Sequence, residues 1–250
     1  MIKREQVSGS VTVVQFDHGP VSALDLEFLL ALRAELAELT ESDTALVLVG
    51  TGSAFSAGVD LFRILDGGED YAARFIPALS GAFDDLFAYR RPVVAAVNGH
   101  AIAGGCVIAA CADHRLMAEG RGRIGVPEQL VGVAFPAIAL AALRYATGDV
   151  GVADLVNSGG TYLPDEALRR GLVDEVVPAA ELLDRAIAKA EQLAAIPPAT
   201  FVHTKRSLRD RYWIEVETTG RQRDAEMLEV WKSPATMSAI SDYVKKTLGK

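Results

Sequence analysis

Three short stretches of this 250-residue chain carry residue types suited to stabilising charge or moving a proton. Ala54-Phe-Ser-Ala-Gly-Val-Asp-Leu61 is a turn of small residues straight after an apolar run. Asn98-Gly-His-Ala-Ile-Ala-Gly-Gly-Cys106 is a glycine turn after the next apolar run, and it leads into an apolar helix. Both present backbone N–H groups with little side-chain cover, and two amides aimed at one point make an oxyanion hole. The second turn also opens a helix, where the first amides lack intrahelical acceptors and negative charge is favoured. The third stretch, Val126-Pro-Glu128, is a lone carboxylate among apolar residues. Burial there raises a carboxyl's pKa toward the range of a general base. Taken singly, each has a plainer explanation: a tight turn, a solvated loop acid, Asp60 as a helix N-cap, Asp113 as a buried acid bonding backbone.

These stretches are held between elements that read clearly. Ser10–Phe16, Ala45–Val49 and Pro92–Val97 are strands rich in β-branched residues. Asp25 is an N-cap for a helix with Leu26, Leu29, Leu30, Leu32, Leu36 and Leu39 as its apolar face, and a second helix is expected from about Tyr71 to Ala88. A helical segment over Cys106–Ala112 and a strand at His114–Ala118 follow. Further helices are expected at Phe135–Thr147, Val150–Asn157, Asp165–Arg170 and Ala179–Ala195, with a strand at Leu172–Val177. Alternation of strands and helices predicts an α/β core. Pro197-Pro198 divides residues 1–196 from an all-helical region, 197–250.

Composition narrows the function. Half the residues are apolar and the formal net charge is −8, which argues against general nucleic-acid binding. Residues 201–250 hold 10 Lys/Arg against 7 Asp/Glu, a surplus of +3 on a body of −11. Cys106 and Cys111 provide neither a disulfide framework nor a zinc site, and read as reduced core residues of a cytoplasmic protein. The N-terminus shows no signal-peptide pattern, and the longest nearly apolar run, Val131 to Leu143, is too short for a bilayer. No Gly-Lys-Ser/Thr follows the second turn, no Gly-x-Gly-x-x-Gly is present, and Ser53 and Ser56 lie outside Gly-x-Ser-x-Gly. The four histidines show no metal-ligand spacing, so no metal is expected.

Together the turns are more specific than apart. With Ala112-Asp113, Glu128 and Gly171-Leu-Val-Asp-Glu-Val-Val-Pro178 in this order and spacing, the chain resembles the crotonase superfamily, the enoyl-CoA hydratase/isomerase family, from about residue 10 onward. The resemblance implies a spiral of ββα turns with a C-terminal helical oligomerisation region building trimers, often paired into hexamers. It implies an acyl-CoA thioester whose oxygen sits between the amides of Ala57 and Gly104, with Glu128 catalytic. The substrate-binding set would be Ser56, Ala57, Gly58, Val59, Asp60, Gly104, Pro127, Tyr243 and Lys246. Tyr243 and Lys246 match positions that reach over a neighbouring subunit's coenzyme A, and Lys205 is a weaker phosphate candidate. No separate cofactor is implied, since coenzyme A belongs to the substrate.

Within the family, hydratases carry a second glutamate three residues after the glycine matching Gly104; here that residue is Val107. The chain looks more similar to the mitochondrial-type Δ3,Δ2-enoyl-CoA isomerases, which keep one glutamate and a bulky apolar run after it. One acid suffices for moving a double bond, because it can take a proton from C2 and return it at C4. A hydratase or another crotonase-fold enzyme using Glu128 is the alternative, and a non-catalytic acyl-CoA-binding protein is a further one. The apolar tail faces (Leu208, Trp213, Met227, Leu228, Val230 and Trp231) are expected to be buried between subunits.

Overall fold

The computed structural model describes residues 1–248. Ala45–Val49 and Val93–Val97 are buried along their whole length, and Val11–Phe16 nearly so. Strands covered on both faces read as continuous apolar runs, which is why these three stood out. They lie at the heart of a six-stranded sheet in the order Ile2–Ser8, Val11–Phe16, Ala45–Val49, Val93–Val97, His114–Ala118, Glu175–Val177. Every pairing is parallel except the first. Ile2–Ser8 was not anticipated, because its Lys3, Arg4, Glu5 and Gln6 are the exposed polar residues of an edge strand.

A second, smaller sheet runs beside it in the order Thr161–Tyr162, Ile124–Gly125, His100–Ile102, Ala54–Ser56. The chain therefore repeats one step three times: a strand of the large sheet, a short strand of the small sheet, then a helix. The three helices are Leu61–Ala88, Gly104–Ala110 and Glu128–Val131. This is a spiral of ββα turns, an α/β crotonase-like fold followed by helices.

The helices on the two long stretches fall close to expectation. Gly68, at φ 56° and ψ −147°, breaks the stretch Leu61–Ala88, so the helix expected from about Tyr71 is preceded by a short one that begins at Leu61, where the Asp60 carboxylate caps the amides of Phe62 and Arg63. The two helices expected at Phe135–Thr147 and Val150–Asn157 lie within Ala137–Ser158, separated at Gly148, whose φ of 76° and ψ of 163° are not helical.

The C-terminal helices fold back on the spiral. Asp113, largely but not fully buried, accepts the Val93 amide at 2.8 Å, as expected of an acid that bonds backbone. It also receives Lys205 Nζ at 2.7 Å and Arg209 Nη2 at 2.8 Å from helix Pro198–Glu215. Arg209 is 1% exposed and its guanidinium lies over the rings of Phe87 and Tyr145. Lys205 is thus no phosphate contact; it is spent on Asp113 and the Arg91 carbonyl. Met227 and Trp231, expected between subunits, are buried in the chain's own core. Trp213 and Leu228 pack partly against that core, and Leu208 and Val230 remain exposed.

Candidate active site

Three strands of the small sheet run parallel, and each stops just short of a predicted site residue. Ala54–Ser56 leads into Ala57, His100–Ile102 into Ala103-Gly104, and Ile124–Gly125 into Val126-Pro127-Glu128. Because the three strands are parallel neighbours, with one register shift between Ala54 and Ser56, their carboxyl ends deliver Ala57, Gly104 and Glu128 to one place. All three line a single cavity of about 120 Å³.

The turns are tight for identifiable reasons. Helix Gly104–Ala110 approaches the end of the first strand so closely that a Cβ on Gly105 would lie 2.4 Å from the Ser56 carbonyl oxygen. Gly58 has φ +81°, and a Cβ there would meet the Ile102 carbonyl at 2.4 Å. Ala103 carries the strain between strand and helix, with φ 52° and ψ −123°. A non-glycine residue in such a conformation costs on the order of 1–3 kcal/mol and persists only when its surroundings fix it. Here its amide donates to the Gly125 carbonyl at 2.8 Å and its carbonyl accepts the Val107 amide at 3.1 Å. The strain holds Gly104 at the start of the helix, where its N–H has no intrahelical acceptor.

The Ala57 amide is differently placed. It donates to the Val21 carbonyl at 3.0 Å, so the chain itself occupies one of the two amides expected to be free. Val21 belongs to the turn before Ala23–Leu24, which pairs with Gly58–Val59. Nothing in the local sequence of the loop announces this contact.

Glu128 stands on a single helical turn, Glu128–Val131, capped by Pro127. Its own carbonyl accepts the amides of Gly132 and Val133 at 2.9 and 3.0 Å, which fixes the turn. The residue is half-buried as a whole, but carboxylate Oε2 is fully buried and has no hydrogen-bond partner. Burial pushes the carboxyl up from its ordinary 4.5 to about 8, against a weaker opposing hydrogen bond from its own amide. It is the one carboxylate among the described residues that line the cavity. Val107, at the position of a second acid in hydratases, lines the same cavity and is 1% exposed.

Of the remaining expected contacts, Val59, Pro127 and Tyr243 line the cavity. Ser56 is buried elsewhere: its hydroxyl donates to the Ser22 carbonyl at 2.7 Å and accepts the Gly58 amide at 3.2 Å. Gly58 serves the turn, Asp60 the helix cap, and Lys246 is exposed on the terminal helical turn Val244–Leu248. Tyr243 faces the cavity of its own chain, where burial first and the nearby Glu128 charge second push its phenol up. The rest of the wall was not foreseen. Leu79 and Phe83 come from the helix that ends at Ala88, Phe135 from the run after Glu128, and Trp231 from the tail. Trp231 donates its indole N–H to the Ala134 carbonyl at 2.9 Å. Among the described residues no cluster of His, Cys, Asp and Glu is arranged to hold a metal ion, and no helix is long and apolar enough to cross a membrane.

The carboxyl ends of three parallel strands, a helix-opening amide and a desolvated glutamate meet at one cavity, an arrangement able to exchange a proton with a ligand and to stabilise charge on its oxygen. The enoyl-CoA hydratase/isomerase family model matches residues 6–247, and the chain belongs to that family, within the crotonase superfamily. It is 30% identical to the human mitochondrial enoyl-CoA delta isomerase 1 over 221 residues, covering 87% of this chain and 72% of that one. It is 35% identical over 191 residues to a putative enoyl-CoA hydratase of Thermus thermophilus, covering 74% of each chain. The crystal structure of human mitochondrial delta3-delta2-enoyl-CoA isomerase superposes with a TM-score of 0.93 at 26% identity, covering 99% of this chain and 98% of that one.

Proposed function

We propose that the protein is a Δ3,Δ2-enoyl-CoA isomerase. The observation that carries this reading is the single carboxylate: Glu128 lines the cavity, and Val107 can neither hold a water nor move a proton. In this reading Glu128 takes a proton from C2 of a 3-enoyl thioester. The C2 electron pair becomes a dienolate with its charge on the thioester oxygen. Glu128 then returns the proton at C4, leaving the double bond between C2 and C3. The Gly104 amide receives the developing charge, and a charged oxygen draws the Ala57 amide from the neutral Val21 carbonyl, since charge-assisted hydrogen bonds are about twice as strong. Losing one such donor typically costs about 3–4 kcal/mol.

No cofactor beyond the coenzyme A of the substrate is needed for these steps. Tyr243 and Lys246 are read as contacts of the thioester and of a coenzyme A phosphate. The exposed apolar Leu208, Ile214 and Val230 support a trimer or hexamer; sedimentation as a stable monomer at micromolar concentration overturns that part. Two buried free cysteines support a cytoplasmic setting.

The test is incubation with 3-enoyl-CoA and 2-enoyl-CoA, with products identified by chromatography and mass. Isomerisation should dominate. In Glu128→Gln turnover should fall at least about a hundredfold, the lower end for general acid–base catalysis, with acyl-CoA affinity by calorimetry little changed. Hydration of 2-enoyl-CoA at rates rivalling isomerisation would make the protein a hydratase instead. Near-normal turnover of the variant removes Glu128 from the mechanism.

A further inference from the structure

The cavity that holds Glu128 does not end at open solvent on every side. Phe135 lines it, and Phe135 also lines a second cavity of about 80 Å³. That second space has Leu140, Ala141 and Val216 on one side of its wall, and Arg223, Asp224 and the Arg144–Glu215 ion pair, at 2.8 Å, on the other. Phe135 therefore stands between the apolar Glu128 cavity and a second space that is apolar on one side and charged on the other, and its backbone is tied on both flanks to the tail. The carbonyl of Ala134 accepts the Trp231 indole at 2.9 Å, and the amide of Ala137 donates to Asp224 Oδ1 at 2.7 Å. Pro136 between them further limits the backbone.

We infer that Phe135 is the residue that sets acyl-chain length, and that the protein acts on short-chain thioesters. This rests on reading the Glu128 cavity as the acyl site. An apolar protein cavity of about 150 Å³ holds one benzene, so a cavity of 120 Å³ takes about five heavy atoms. The reacting carbons C1 to C4 use most of that room. On the same scale the second cavity would add about three carbons once the ring is removed. Each buried methylene is worth about fourfold in affinity, so three are worth at most about sixtyfold, less where the chain meets the charged side of the second space.

The experiment titrates saturated acyl-CoA thioesters from C4 to C12 into wild-type protein, Phe135→Ala and Phe135→Leu. Wild-type affinity should climb to about C5 and then stop rising. In Phe135→Ala the break should move outward by about three carbons, with C8 binding at least tenfold tighter than to wild type. Phe135→Leu retains more of the packing and should move it by one or two, so the inference stays testable if the alanine variant does not fold. An unmoved break in a folded variant overturns the inference, as does a wild-type affinity that rises unbroken to C12. Saturated thioesters keep this separate from the reaction: failure to isomerise leaves the length profile readable, whereas failure to bind any acyl-CoA sinks the acyl-site reading itself.

Discussion

The Glu128 carboxyl has a consequence that can be measured without any substrate. Its folded value of about 8 lies above the ordinary 4.5 of an exposed glutamate, because burial disfavours the charged form. A group whose folded value is raised binds more protons in the native state, so its stabilising contribution is fully present below pH 4.5. That contribution is lost as pH rises toward 8. Each pH unit in this window is worth about 1.4 kcal/mol. Allowing for partial ionisation at the lower end, the wild-type protein should lose about 4 kcal/mol between pH 5 and pH 9 through this group, nearly all of it before pH 8.

Glu128→Gln removes the titration and keeps the shape. Other titrating groups are common to both proteins, so the difference between them isolates Glu128. The variant's advantage should be small at pH 5 and should widen by about 4 kcal/mol by pH 9. At about 2–4 °C per kcal/mol for a chain of this size, that is roughly 8–16 °C in Tm. Parallel thermal melts and urea midpoints at pH 5, 7 and 9 check it. A gap that stays constant with pH, or a variant that is the less stable protein at pH 9, would refute the reasoning. Either result would mean that Oε2 is solvated or partnered in solution, and that the site does not hold a desolvated base.

Two further substitutions test other parts of the structure. Asp113→Asn leaves the buried Lys205 and Arg209 without their counter-charge, which should lower unfolding stability by about 3–5 kcal/mol in urea; a loss under about 1 kcal/mol would mean the tail is held by its apolar contacts alone. Val107→Glu adds a second acid to the cavity wall and should raise hydration of 2-enoyl-CoA relative to isomerisation of 3-enoyl-CoA, at a cost in stability for the buried carboxylate; an unchanged product ratio with the protein folded would show that the missing acid does not decide the reaction.

What the sequence made legible divides along a physical line. The turns at Ala54–Leu61 and Asn98–Cys106 and the acid at Glu128 were readable because each follows a strand whose apolar run announces it. A parallel sheet presents its ligands at its carboxyl ends. The residues that make the site dry were not readable, because they come from far along the chain. Asp113 meets Lys205 and Arg209 across 92 and 96 positions, and Trp231 meets Ala134 across 97. An amphipathic tail helix shows that it must bury a face, but not against what, and so Met227 and Trp231 read as assembly residues. The Val21 carbonyl on the Ala57 amide is hidden for the same reason, since a backbone contact carries no side-chain signature.

This division bears on how the base works. The pKa of Glu128 is raised chiefly by burial, with no charged partner acting on it. The walls that bury it include Trp231 and Tyr243, both from the helices after Pro198. Those helices are anchored to the spiral by Asp113 and, beside the cavity, by Asp224 and Trp231. The sheet ends thus position Gly104 and the carboxyl, and the tail supplies part of the exclusion of water that raises the carboxyl's proton affinity. Loosening the tail should therefore lower the proton affinity of a residue it does not hydrogen-bond. The proton affinity of Glu128 is a property of tail packing as much as of the motif that carries it.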